Sequence, residues 1–238
     1  MITYYAVHLP LAIPMNKLVA VCGQKYEPDW MVEDMKKNMP WVDEFCILDC
    51  RKRDELWIHE GQYRLILREM ARKKKADWIL ICSPDERFEK GAGETIRPLL
   101  KEENYNKFFE FNLWEMYHPK WYRIDGIWGE KKRRRLYHLD DGQVMKYRPI
   151  QCPSMPVENG YEIVSVDVNI YHLKMIEPEN RKLRTEVFKK LDPENKYQGI
   201  GYDYLDDETE ALMARIPRGR MYYPKYRTYK FKVPDKYL

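Results

Sequence analysis

The sequence predicts an α/β fold, with a mixed, mostly parallel central sheet flanked by helices, then a C-terminal helix and an irregular tail. Three observations predict it. The apolar runs KLVAVC (17–22), FCIL (45–48) and WILIC (78–82) have the length and continuity of strands buried on both faces. Helical patterns separate them, as parallel neighbours require. Each run also ends in a polar cluster: Tyr26 and Glu27, then Asp49 to Arg51, then Ser83, Asp85 and Glu86. Parallel α/β sheets bind ligands outside the carboxyl ends of their strands, so these clusters mark a candidate site.

The elements follow in order. Gly23 ends the first strand, and GQKYEPD is a loop. Asp29 is suited to cap a helix running to about Asn38, with Trp30, Met31 and Met35 facing the core and Pro40 closing it. After the second strand, CRKRDE is a loop, and residues 56–75 read as a long helix. Its Tyr63, Ile66, Leu67 and Met70 recur at helical spacing, and its last turn is basic, as the helix dipole favours. A short helix is expected at 94–102. Beyond residue 105, strands are expected at KFFEFNL (107–113) and at YRIDGIW (122–128), which bends at Gly126. Residues 133–139 and 144–148 flank DDGQ as a hairpin, and VSVDVNIYH (164–172) alternates as a strand. Pro178, Glu179 and Asn180 open a helix to about Leu191, which Asp192 and Pro193 stop. From Asn195 onward the chain reads as an irregular tail wrapped on the domain. The expected division is a domain over 1–175, with 1–16 as an N-terminal segment, and a helix and basic, aromatic tail over 176–238.

Composition narrows the function classes. The 238 residues are 44% apolar, 34% charged and 14% aromatic, which excludes a disordered chain. No apolar run approaches the roughly 20 residues needed to span a bilayer. LPLAIP near the start lacks a basic flank and is broken by prolines, so no signal peptide is expected. The five cysteines, Cys22, Cys46, Cys50, Cys82 and Cys152, are odd in number and form no C-x-x-C pair. They suggest neither a zinc site nor a disulfide framework, and fit a reducing, cytoplasmic setting. The net charge of +4 permits an anionic ligand without requiring nucleic acid, which is not expected as a partner. KKRRR (131–135) reads as a solvated turn into an edge strand, where charge deters pairing. RGRMYYPKYRTYKFK (218–232) reads as a tail packed on its own domain.

The densest chemistry lies in DWILICSPDERFE, where a buried strand delivers Asp85 and Glu86 to a strand end. Hard cations such as Mg²⁺ or Mn²⁺ bind one or two carboxylates and take their remaining ligands from substrate phosphates and water. The plain alternative is that Asp85 caps the next turn.

The order of segments over about two-thirds of the chain resembles the glycosyltransferases of family 2, which have the GT-A fold. KLVAVCGQKYE supplies Tyr26 and Glu27 where relatives often carry Asn-Glu. FCILD supplies Asp49, and EGQYRLIL supplies Arg64. ADWILICSPDE follows the family's Asp-x-Asp-Glu pattern except at its first acid, which is Ser83. VNIYHLK resembles the strand whose terminal His faces the metal or the donor phosphates. The resemblance implies a metal-assisted, inverting transferase that moves a sugar from a nucleotide-diphosphate donor to an acceptor hydroxyl. In it, Glu27, Asp49, Arg64 and Ser83 would bind the nucleotide-sugar, and Asp85 with His172 would hold Mn²⁺ or Mg²⁺. An inverting transferase needs a carboxylate base near the acceptor. Asp125, set among Trp114, Trp121, Tyr122 and Trp128, is the favoured candidate and Glu115 the alternative; Glu158 and Glu162 stand out of clear register. The aromatics serve either as sugar platforms or as core. Because Ser83 brings no charge, a second reading is a catalytically inactive GT-A-like protein that binds sugar or nucleotide. A nucleotidyltransferase would need a Gly-rich basic loop after the first strand, and GQKYEPD has one Gly and one Lys.

Overall fold

Side chains along β1 (Leu18–Gln24) alternate between two apolar cores. Leu18, Ala20 and Cys22 face α1 (Asp29–Asn38), which contributes Val32 and Met35. Val19 and Val21 face α2 (Glu60–Lys73), which contributes Tyr63, Leu67 and Ala71. In β3 (Trp78–Cys82), Trp78, Leu80 and Cys82 share the first core and Ile79 and Ile81 the second. The period of two is therefore intact, but both faces are apolar, which is why these strands read as unbroken runs. The structure, a computed structural model, describes residues 16–53, 59–157 and 159–237. LPLAIP, the expected first turn of the long helix at 56–58, and Glu158 lie outside the described residues.

Among the described residues nine strands form one mixed sheet, ordered β2-β1-β3-β7-β5-β6-β9, with β8 beside β5 and β4 beside β8. The remaining strands are β2 (Glu44–Asp49), β4 (Glu86–Phe88), β5 (Lys107–His118), β6 (Trp121–Arg123), β7 (Lys132–His138), β8 (Glu162–His172) and β9 (Met213–Arg215). β1 is parallel to β2 and β3, and β5 is parallel to β8; β7 runs antiparallel to both β3 and β5. The helices are completed by α3 (Ala92–Ile96) and α4 (Pro178–Leu191). No helix among the described residues is long and apolar enough to cross a membrane.

Several expectations need correction. Asp29 is the first residue of α1 rather than its cap, and its carboxylate bonds Arg51 and Gln24 instead. The helix expected at 94–102 is the short α3 followed by two 3₁₀ turns. YRIDGIW forms strand only to Arg123, then a 3₁₀ turn over Gly126–Trp128. The hairpin around DDGQ does not form. The Gln143 side chain turns inward, donating to the His138 carbonyl and accepting from Asp140 N and Arg68, while Val144 is 64% exposed. Residues 145–153 cross the start of α2 instead. Carbonyls of Pro149 and Arg148 accept from Glu60 N (2.6 Å) and Gly61 N (3.0 Å), two amides that a helix start leaves without intrahelical partners. A Cβ on Gly61 would sit 2.6 Å from the Tyr147 ring and 3.1 Å from Arg148 N, so a larger residue here would push the Tyr147 side chain aside. KKRRR leads into a strand that is not at the sheet edge: residues 132–134 pair with β5 alone, but β7 goes on to pair residues 136–138 with β3 as well.

The tail after α4 packs back onto α1 and α4. Asn180 donates to Tyr229 O (3.0 Å) and accepts from Phe231 N (2.9 Å). Tyr26, Met31, Val187, Tyr229 and Phe231 form one apolar cluster, and Arg227 lies 4.0 Å over the Trp30 ring. β9 extends the sheet by pairing with β6.

Candidate active site

The carboxyl ends of β1 and β3 open onto a cleft of about 460 Å³. Strand direction explains which residues reach it. β7 is antiparallel to β3, pairing Leu80 with Leu136, so residues 131–135 run past the end of β3 into the cleft. β5 and β8 are parallel and pair Glu115 with His172 at the same rim. β4 pairs Glu86 with His172, folding the segment after β3 back against that histidine.

The cleft wall is basic. Seven Lys or Arg side chains line it against four carboxylates, Glu27, Glu60, Glu86 and Glu115. Each carboxylate already has a cation. Glu60 meets Lys25 at 3.5 Å and Arg64 at 3.8 Å. Glu86 pairs with Arg135 and accepts from Ser83 N at 3.1 Å. Glu115 sits between Lys131 and Nδ1 of His172, the latter at 2.6 Å. Glu27 accepts from Lys25 N and Tyr26 N and has the Lys174 ammonium at 3.9 Å. Arg133 and Arg184 line the cleft with no carboxylate partner among the described residues.

Below this wall lies Asp85, which is 0% exposed. Its Oδ2 is 3.1 Å from the Lys174 ammonium and 3.5 Å from His172 Nε2, and neither oxygen has a well-aligned hydrogen bond. Burial alone would raise its pKa, but Lys174 and His172 outweigh that and hold it far below the carboxylate range. Glu27 moves the other way: burial, then the nearby Asp85 charge, raises it despite Lys174. For Glu115, burial again raises, and His172 and Lys131 overcome it to hold the carboxyl well below its usual value. Burial would lower the pKa of His172; Glu115 and then Asp85 reverse that and push it up to about 9.

The fate of each expected site residue follows. Glu27, Arg64, Ser83, Glu115 and His172 line the cleft. Asp85 lies behind Lys174 and His172, with no surface of its own. Asp49 ends β2 at the rim but outside the cleft lining, chelated by Arg51 at 2.9 and 2.7 Å. Asp125 is outside the cleft altogether. It forks onto Arg123 (2.8–3.1 Å) and accepts from Leu212 N (3.0 Å), tying β6 to the segment before β9. Its setting among aromatics reflects a structural corner rather than a reactive one. Of those aromatics, Trp114 stacks on Tyr122 at 4.2 Å, whereas Trp128 reaches the cleft with Phe188 and Tyr204. Glu162 pairs with Lys107 at 3.9 Å, away from the cleft.

Lys174, Lys131, Arg133, Arg135 and Arg184 are cleft residues that the sequence reading did not single out. For three of them a signal was present. Lys131, Arg133 and Arg135 recur with period two, so a strand through them places all three on one face. Lys132 and Arg134 alternate with them, and Lys132 bonds Ser165 on the other side.

The divalent cation implied by the resemblance does not fit the donors present. Mg²⁺ needs carboxylate oxygens at about 2.0–2.1 Å with room for water and phosphate. Asp85 has no open surface, and its outward side is taken by an ammonium and an imidazole. No three His, Cys, Asp or Glu side chains among the described residues come together as a metal site.

No protein-family model matches the sequence, and no curated protein matches it. Among solved structures the chain is similar to a "Crystal structure of a glycosyltransferase involved in the glycosylation of the major capsid of PBCV-1", with 10% identity over 41% of this chain and 50% of that one and a TM-score of 0.29. The chain thus spans half the length of that neighbour, and at this score the likeness carries no argument.

Proposed function

We propose that the chain is a GT-A-like glycosyltransferase that moves a sugar from a nucleotide-diphosphate donor to an acceptor hydroxyl. One observation carries this reading: a basic wall with an excess of guanidinium and ammonium groups surrounds a cleft at the carboxyl ends of the parallel strands β1 and β3. Such a wall suits a diphosphate, and the cleft continues to Trp128 and Tyr204, whose faces suit a sugar ring. In the reaction the bond from the anomeric carbon to the diphosphate oxygen breaks and its electron pair stays with the leaving group. The acceptor oxygen bonds to that carbon and releases its proton to solvent. Arg133 and Arg184 meet the charge that develops on the diphosphate. Asp49, at the end of β2, would meet the nucleoside on releasing Arg51. Holding donor and acceptor in one cleft supplies the orientation.

A second reading, binding without turnover, is favoured by the base candidates. Glu115 is locked between two cations, and Asp125 is outside the cleft. One experiment separates the two readings. The protein is mixed with a panel of nucleotide-sugars; binding is followed by thermal shift and donor hydrolysis by release of nucleoside diphosphate. Binding with release supports the transferase, binding without release supports the second reading, and no binding by any donor removes both.

A further inference from the structure

We infer that the ammonium of Lys174 stands in for a divalent cation and contacts the donor diphosphate directly, so that this cleft binds nucleoside diphosphate without metal. The inference rests on the reading of the cleft as a nucleotide-sugar site. Lys174 belongs to a 3₁₀ turn, Leu173–Met175, that directly follows β8. Leu173 N donates to the Asp85 carbonyl at 2.8 Å, which fixes the turn on the segment after β3. The Lys174 side chain therefore rises from a rigid base between two buried carboxylates, 3.1 Å from Asp85 and 3.9 Å from Glu27, and reaches the cleft surface. A metal ion held by Asp85 would present positive charge to a phosphate. Here the ammonium does so, with three N–H donors to divide between the carboxylates behind and the ligand in front.

Charge balance points the same way. On the cleft floor the carboxylates of Glu27, Asp85 and Glu115 already lie against the ammonium groups of Lys174 and Lys131 and the His172 ring. A divalent ion at Asp85 would have to take the place that the Lys174 ammonium occupies. An incoming diphosphate instead meets Arg133 and Arg184, which have no carboxylate to release, and the outward face of Lys174.

The test uses the whole chain with UDP, GDP and ADP as probes, measured by calorimetry with excess EDTA and again with Mn²⁺. The wild-type protein is expected to bind its preferred nucleoside diphosphate with affinities within about twofold under the two conditions. Its melting temperature without nucleotide should not respond to Mn²⁺. Lys174→Met should weaken binding by about tenfold or more in EDTA. Lys174→Ala leaves Asp85, Glu27 and His172 around an emptied space, and its melting temperature should rise with Mn²⁺ where the wild type's does not. Binding by the wild type that EDTA abolishes and Mn²⁺ restores overturns the inference while leaving the donor reading intact. Absence of binding to all three probes in both conditions overturns both. If neither variant folds, the wild-type comparison of EDTA with Mn²⁺ still decides.

Discussion

The cleft floor and the corner between β6 and β9 are both built from carboxylates gripping cations, yet they are different structures. On the floor, Glu115 holds Lys131 and His172 with almost no solvent contact on the carboxylate. At the corner, Asp125 holds Arg123 in a two-pronged fork and accepts a backbone amide, with its side chain 23% exposed. The chemistry is the same acid–base pairing. What differs is the carboxylate's setting. Asp125 keeps some solvent contact and grips one guanidinium, so the fork acts as a fastener. Glu115 is buried and shared by two groups that line the cleft, so its loss changes the charge of the cleft at both.

The largest expected effect tests that sharing. Glu115→Ala leaves the partly buried Lys131 and His172 without their shared carboxylate and should cost about 2–3 kcal/mol, a fall in melting temperature on the order of five degrees by circular dichroism. Next come the two cations without carboxylate partners. Arg133→Ala and Arg184→Ala should each weaken nucleoside diphosphate binding about tenfold in calorimetry while barely moving the melting temperature. Asp125→Asn should cost about 1 kcal/mol and leave that binding unchanged; a cost equal to that of Glu115→Ala would erase the distinction between floor and corner.

The smallest effect is a difference in pH response. His172 is pushed up to about 9 from an ordinary value of 6.5. The stabilisation from its imidazolium is whole below about 6.5 and is lost as pH rises through about 9. The Asp125 carboxyl is held below its ordinary range by the hydrogen bond from Arg123, so its contribution is present above that range and lost as pH falls through the folded value. Glu115 shares that acid-side loss, so only the alkaline side separates the regions. Urea midpoints measured between pH 6.5 and 9.5 should decline in the wild type and flatten in His172→Gln. An unchanged slope in that variant would remove His172 as the source.

The two halves of the sheet differed in how plainly the sequence announced them. β1 and β3 were visible because both faces of each are buried, and β2, at the sheet edge, because one face is buried and the other partly covered, leaving apolar runs with a helix between neighbours. β7 was misread because its basic residues suggested solvent. Its pairing with β3 begins only at Leu136, so Lys131, Arg133 and Arg135 run along the open cleft while the apolar end of the strand is central. Residues 144–148 were misread as a strand because local alternation is silent about the open amides of α2, which lie over eighty residues earlier. Glu27, Arg64, Ser83, Glu115 and His172, singled out from strand ends, helix stripe and family-like order, line one cleft. Lys174 was missed because a lysine in a turn looks solvated until its two carboxylates, from the ends of β1 and β3, are brought beneath it.

By itself the sequence determined the alternation of strand and helix, the two apolar cores, and the strand ends at which polar groups would gather. These follow from short-range periodicity, which every local window carries. Only the tertiary structure decided which charges meet: that Asp85 would be sealed behind Lys174 and His172, that Asp125 would fasten a corner, and that β7 would wall the cleft. Ion pairing depends on distances of a few ångströms between residues tens of positions apart, and no local window contains them.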